Sequence, residues 1–148
     1  MNKEKNIYGE LNDSNLKTLI ALSRCTQNVH KREYRTIKEG GLTVSQFAVL
    51  EILYHKGDLR VCDIIHKSLF TGGNMTVVID NLVKENLVKR CIDPTDRRVN
   101  LISITEDGRN IISEIFPKHL ENINGIFSVL TSEEKKKLIS LLKKLSGV

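Results

Sequence analysis

Apolar residues recur along this chain with two different periods, and the change from one to the other outlines most of its elements. From Asp13 or Ser14, either of which suits a helix N-cap, Leu16, Leu19, Ile20, Leu22 and Val29 return at helical spacing towards about Lys38. This predicts a long first helix, stopped at Glu39–Leu42 by the paired glycines of EGGL, which suit a left-handed C-cap. Thr43 caps a predicted second helix, VSQFAVLEILYHK, with Phe47, Leu50, Ile52 and Leu53 as a broad apolar face and Gly57 at its close. A short third helix in LRVCDIIHKSL turns Val61, Ile64 and Ile65 inward. In TGGNMTVVIDNLVKENL, Met75, Val78, Ile79 and Leu82 mark the buried stripe of a fourth helix. Asn74, Thr76, Val77, Asp80, Asn81 and Lys84 fall outside that stripe, so its exposed front is small and polar.

The period then shortens to two. LVKRCI and VNLISIT alternate and are rich in branched residues, which predicts a β-hairpin around the link DPTDRR. Thr105 caps a further helix through EDGRNIISEIFPKHLENINGIFSVL, with a kink or interruption expected near Pro117. The last helix, in TSEEKKKLISLLKKLSG, opens on a capping box of Thr131 and Glu134 and carries Leu138, Leu141, Leu142 and Leu145 on one face. The expected fold class is therefore mainly α with a small β-hairpin wing. Helices three and four form a helix-turn-helix candidate with the fourth as reading element, and the hairpin after it is the wing. One unit over residues 1–148 is expected, with a winged lobe at about 43–105 and helical ends at about 13–38 and 106–148.

Composition narrows the classes. A chain of 148 residues, 40% apolar and with two prolines, supports one hydrophobic core. Its polar start resembles no secretory signal and no apolar run approaches membrane-spanning length, so a cytoplasmic protein without a membrane partner is expected. Cys25, Cys62 and Cys91 are odd in number and lack a CxxC pair, which argues for reduced thiols over disulfides or structural zinc. Catalysis is not expected either. His30, His55, His66 and His119 are scattered, and no nucleophile–base motif, phosphate loop or zinc-protease helix occurs. Cys62 and His66 lie four apart and can both reach one ion, but a lone pair makes no metal site, so neither metal nor cofactor is expected.

The net charge of +5, with a pI near 9.2, suits a polyanionic partner only weakly. Its placement says more, because Lys89, Arg90, Arg97 and Arg98 flank the hairpin turn. Two readings of DPTDRR stand at this level. Asp93 or Asp96 can hold one guanidinium as a brace, leaving the other arginine free for phosphate or a narrow minor groove. Alternatively the segment is a solvated turn carrying a weak surface ion pair.

DPTDRRVNLISITEDG resembles the wing signature of the MarR (multiple-antibiotic-resistance regulator) family, TGGNMTVVIDNLVKENLVKR its recognition helix and LTVSQFAVLEIL its second helix. The resemblance runs in order from about Leu16 onward. It implies a winged helix-turn-helix homodimer joined through its N- and C-terminal helices, binding a pseudo-palindromic operator in double-stranded DNA, usually as a repressor. By position, Thr71, Gly72, Gly73, Asn74, Thr76 and Val77 would face the major groove, and Asp96, Arg97 and Arg98 would form the wing tip. Val77 stands where many relatives carry a long polar residue; it either touches a thymine methyl or simply packs. Leu16, Leu19, Ile20, Leu138, Leu141, Leu142 and Leu145 would be shared between subunits or would form a core within each.

The resemblance also implies an effector site where the terminal helices meet the reading lobe, with His30, Tyr34 and Phe47 as lining candidates or as ordinary packing. QFAVLEILYHKGD leans towards the branch that answers phenols and quinones, making a small aromatic effector the first expectation. Thiol-based oxidant sensing through Cys25 or Cys62 is the alternative, with Cys25 expected half-buried on the face of Leu22 and Val29. A winged-helix module that binds only protein is the remaining alternative, although it needs neither the arginine tip nor a glycine-fronted reading helix.

Overall fold

Glycine, threonine or asparagine stands at most of the helix starts, and glycine at half of the helix ends. In the computed structural model, which describes residues 7–68 and 74–147, the order is α1 (Glu10–Glu39), α2 (Val44–Lys56), α3 (Val61–Lys67), α4 (Met75–Lys84), β1 (Val88–Ile92), β2 (Asn100–Ile104), α5 (Glu106–Phe127) and α6 (Ser132–Ser146). This is the mainly helical, hairpin-bearing class that the periodicity predicts.

The first helix starts earlier than expected. Gly9, at φ 88°, turns the chain into α1, so Asp13 lies inside the first turn and neither it nor Ser14 caps the helix. The carboxylate of Asp13 accepts from the Tyr8 backbone N–H at 3.4 Å, and a negative charge there suits the helix dipole. At the other end the two glycines meet separate needs. Gly41 has the left-handed conformation, at φ 84°, whereas Gly40 does not. A Cβ on Gly40 would lie 2.4 Å from Ile115 Cδ1, so this glycine admits close approach of α5.

Reciprocal capping boxes open α2 (Thr43 with Gln46) and α6 (Thr131 with Glu134), and the Thr105 hydroxyl accepts from Gly108 N at 3.1 Å to open α5. Helix α5 runs through Pro117 without interruption, so of the two outcomes expected there, kink or break, the break does not occur. The core gathers Ile37, Leu50, Leu53, Ile64, Ile79, Leu82, Ile102 and Ile112, which joins α1, α2, α3, α4, β2 and α5. Within α3 the order of the two isoleucines matters. Ile64 is fully buried while Ile65, expected inward, is 51% exposed, because successive residues are a hundred degrees apart around a helix of only two turns.

Strands β1 and β2 pair antiparallel, Val88 opposite Ile104 and Ile92 opposite Asn100, and Leu59 adds a bridge to Ile102 through two backbone hydrogen bonds of 3.2 and 2.8 Å. The joint between α4 and the hairpin is tightly specified. Asn86 takes a left-handed φ of 57°, its carbonyl accepts from Thr105 Oγ1 at 2.6 Å, and its amide donates to Asp107 at 2.9 Å. Gly108 lies so close that a Cβ there would sit 2.2 Å from the Leu87 carbonyl oxygen. The wing's root is thereby locked to the start of α5.

In this subunit α6 buries no residue and α1 buries only Ile37. Leu16, Leu19, Ile20 and Leu22 on α1, and Leu138, Ile139, Leu141, Leu142 and Leu145 on α6, are exposed, with Leu145 reaching 67%. None of them enters the core of this subunit, although their spacing is that of buried faces. No described helix is long and apolar enough to cross a membrane.

Candidate nucleic-acid interface

The expected reading surface has two parts, the front of α4 and the hairpin tip. Thr71, Gly72 and Gly73 lie outside the described residues. Asn74 is the N-cap of α4, its Oδ1 accepting from Thr76 N at 3.1 Å. That bond occupies the oxygen which a two-bond contact to adenine requires, so such a contact has to share or replace the cap, while the amide nitrogen makes no hydrogen bond among the described residues. Thr76 and Val77 are exposed, Val77 half so, and Val77 stays outside the buried stripe. Simple packing within the subunit therefore does not explain it.

At the tip, the two acids divide the work. Asp96, and not Asp93, is the brace: its carboxylate accepts from the Arg98 backbone N–H at 3.0 Å and from the guanidinium at 3.2 and 3.3 Å. These bonds from Arg98 pull the Asp96 carboxyl below its usual range. Asp93 shapes the turn instead. Its Oδ1 accepts from Thr95 N at 2.7 Å and Thr95 Oγ1 at 2.6 Å, which likewise pulls its pKa down. Backbone bonds from Asp93 N to Val99 O and from Val99 N to Asp96 O, each 2.9 Å, close the loop. Arg98, 90% exposed, is aimed outward by its brace, and Arg97 has no ion pair among the described residues.

Helix and wing are joined by side chains that sequence reading missed. Arg90 on β1 forms an ion pair with Asp80 on the exposed side of α4, so the hairpin is tethered to the reading helix by charge as well as through its root. Behind α4, Gln46 Nε2 donates to both carboxylate oxygens of Glu85 at 3.3 Å, fixing the end of α4 to the start of α2. No short-range signal marks either pair, since the partners are ten and thirty-nine residues apart.

The expected effector residues fall into two adjoining groups. His30 and Tyr34 stack on α1 with ring centres 5.2 Å apart, and His30 Nδ1 lies 3.0 Å from Glu33 Oε2. Burial and the Glu33 charge both push the Tyr34 pKa up. Phe47 is buried and packs on His119 of α5 at 4.9 Å, with Phe116 6.3 Å from the same imidazole and His55 4.8 Å from Phe116. His119 is the residue that the sequence reading passed over. It is 5% exposed, its Nδ1 is buried without a hydrogen-bond partner among the described residues, and burial holds its pKa below the ordinary imidazole value against the opposing pull of Glu33 and Glu51. A neutral imidazole with an unmet nitrogen, walled by two phenyl rings, is suited to receive a hydroxyl donor. The pairing of Phe116 and His119 three apart on one helix was its faint sequence signal.

Cys25 is not the half-buried residue foreseen. Cys25 is exposed on α1, turned away from the core that Leu22 and Val29 were expected to share, and Cys62 is exposed in the first turn of α3. No cluster of three metal-ligating side chains occurs among the described residues.

Comparison with known proteins bears on all of this. The sequence profile of the MarR family matches residues 42–99, from the loop before α2 to the wing. The chain is 38% identical over 135 residues to the HTH-type transcriptional regulator MhqR of Bacillus subtilis (strain 168), covering 91% of this chain and 93% of that protein. Bordetella bronchiseptica BpsR, whose DNA binding is regulated by 6-hydroxynicotinic acid, superposes with a TM-score of 0.75 at 29% identity, over 86% of this chain and 91% of that one. Sco3205 of Streptomyces coelicolor, a MarR family regulator solved in complex with DNA, superposes at 0.80 over 97% of this chain and 91% of that one, with 16% identity, a likeness of fold alone. With a winged helix-turn-helix in place and near-complete alignment to a regulator of the same architecture, the chain belongs to the MarR family of transcriptional regulators.

Proposed function

We propose that the protein acts as a homodimeric repressor that binds a pseudo-palindromic operator in double-stranded DNA and is released by a small aromatic molecule carrying a hydroxyl group. The observation that carries the DNA reading is the tether between its two parts: Asp80 and Arg90 hold the wing to the front of α4 while Asp96 aims Arg98 outward. Thr71, Gly72, Gly73, Asn74, Thr76 and Val77 then face the major groove, and Arg97 and Arg98 reach phosphate or the minor groove. Two subunits joined by the apolar faces of α1 and α6 present two such units to half-sites about one helical turn, roughly 10 base pairs, apart. The winged lobe at about 43–105 and the helical ends at about 13–38 and 106–148 act as reading head and spacer. Release by an aromatic effector is supported by His119, whose buried Nδ1 is unmet between Phe47 and Phe116, close to His30 and Tyr34 where α1, α2 and α5 meet. A ligand that wedges apart this junction would favour dimers with misplaced reading heads and weaken DNA binding by its differential affinity for the two states.

The test is a mobility-shift titration on the DNA upstream of the protein's own gene, repeated over a range of salt. Specific retardation is expected, with log affinity falling by about 0.9 per phosphate neutralised for each unit of log salt. Arg97→Ala/Arg98→Ala should weaken binding and flatten that slope. Catechol should release the complex from wild type and fail to do so in His119→Phe. Absence of specific retardation would sink the DNA reading; equal release from both proteins would sink the effector site. The exposed thiol of Cys25 on α1 favours oxidant sensing as the second reading, for which peroxide would release wild type but not Cys25→Ser.

A further inference from the structure

One face of α1 is unlike the rest of the helix. Asn28, Lys31, Arg32 and Arg35 stand at spacings of three and four, so all four point to the same side, and with Asn122 of α5 they line a cleft of about 630 Å3. Its wall is held firmly, because Asn122 Nδ2 donates to the Arg32 carbonyl at 2.8 Å and more weakly to that of Glu33 at 3.4 Å. Among the described residues, the amide oxygen of Asn122 and the amide of Asn28 have no hydrogen-bond partner. Lys31 and Arg32 form no ion pair among the described residues. Of the acids nearby, Glu39 engages Arg35 at 3.1 Å, Glu33 turns to His30, and Glu114 engages Lys118. Three cations opposed by one carboxylate leave an excess of about two positive charges facing the cleft.

The volume lies in the range of small-molecule sites, which run from roughly 300 to 1,000 Å3. The lining is amide, ammonium and guanidinium without an aromatic wall, so it suits an anion of high charge density and not the flat apolar effector proposed for the His119 junction. Guanidinium and ammonium groups together are the usual partners of phosphate, the first by paired N–H donors and the second as a point charge. Operator DNA is the competing polyanion. Asn122 stands sixteen residues beyond Glu106, where α5 abuts the wing root, which is about 24 Å along the helix axis.

We propose that this α1–α5 cleft is a site for a small phosphate-bearing anion carrying about two negative charges, separate from both the reading surface and the aromatic junction. It does not depend on the proposed operator, so the primary titration contains no DNA and a duplex serves only as the competing polyanion. Inorganic pyrophosphate is titrated calorimetrically into the full-length protein at constant ionic strength, alongside Lys31→Gln/Arg32→Gln and the wing variant Arg97→Gln/Arg98→Gln. Both pairs are exposed, and circular dichroism verifies that the variants stay folded. The expected result is saturable binding at one site per subunit, at least about tenfold weaker in Lys31→Gln/Arg32→Gln and within about twofold of wild type in the wing variant, as loss of two charge-assisted contacts implies. Equal weakening in both variants, or no saturable binding in wild type, overturns the proposal. So does an operator-length duplex whose binding falls in Lys31→Gln/Arg32→Gln while pyrophosphate binding is unchanged, since the two cations would then serve DNA.

Discussion

The apolar face of α6 offers the sharpest test of the dimer. Leu141 and Leu142 are 56% and 41% exposed in the isolated subunit, so together they leave roughly one full leucine side chain uncovered. Covering a leucine stabilises by about 1.5–3 kcal/mol, and a twofold interface uses the face twice, so the pair should contribute about 3–6 kcal/mol to association. Replacing both by glutamate removes that gain and adds like charges across the axis. At 1.4 kcal/mol per decade, the dimer dissociation constant should rise by about a hundredfold to ten-thousandfold. Sedimentation equilibrium over a wide protein concentration range measures it. Because neither side chain belongs to the core, far-ultraviolet circular dichroism should be unaltered, and Lys136→Glu on the opposite side of α6 should leave the dimer intact. Operator affinity should collapse with the dimer, since one reading head makes only half the contacts. A Leu141→Glu/Leu142→Glu protein that sediments as wild type would refute the reasoning, and so would a wild type that is monomeric at every concentration.

Three further outcomes follow from the site. Asp80→Asn should change thermal stability little, because the exposed ion pair with Arg90 contributes under about 1 kcal/mol, yet it should weaken operator binding by loosening the wing; the reversed pair Asp80→Arg/Arg90→Asp should restore part of the loss, and no recovery would remove the tether. Asn74→Ser keeps a capping oxygen and discards the amide, so its melting point should stay close to wild type while its base preference changes; Asn74→Ala should additionally lose about 1 kcal/mol. His119 has a depressed folded-state pKa, so the stability linked to its neutral form is complete above its unfolded value of about 6.5 and is lost as pH falls through the lower folded value. Urea unfolding across that acid window should show a decline that His119→Phe flattens, and an identical decline in the variant would show that another group titrates.

What could be read along the chain alone was whatever two residues settle between themselves at short range. Thr131 with Glu134, the stop at Gly57 and the buried stripe of α4 are of this kind, for each depends on positions within one or two helical turns. The hairpin and its arginine tip were legible for the same reason, and so was the order of elements that carries the family resemblance. Short-range rules left Asp93 and Asp96 equal as the brace, turned both Ile64 and Ile65 inward where only Ile64 is buried, and put the start of α1 at Asp13 or Ser14 where Gly9 stands. Packing against the core selected Ile64, and the shape of the hairpin tip placed the Asp96 carboxylate on Arg98. Nor could sequence show that Arg90 reaches Asp80, that Gln46 reaches Glu85, or that His119 is buried with an unmet nitrogen between Phe47 and Phe116. Those features join segments that are distant along the chain, and periodicity carries no information about which surfaces of different helices come to face each other. The pattern of residues thus determined the elements and the apolar faces of the terminal helices. Tertiary structure decided that those faces remain open, and where the reading helix, the wing and the aromatic junction stand relative to one another.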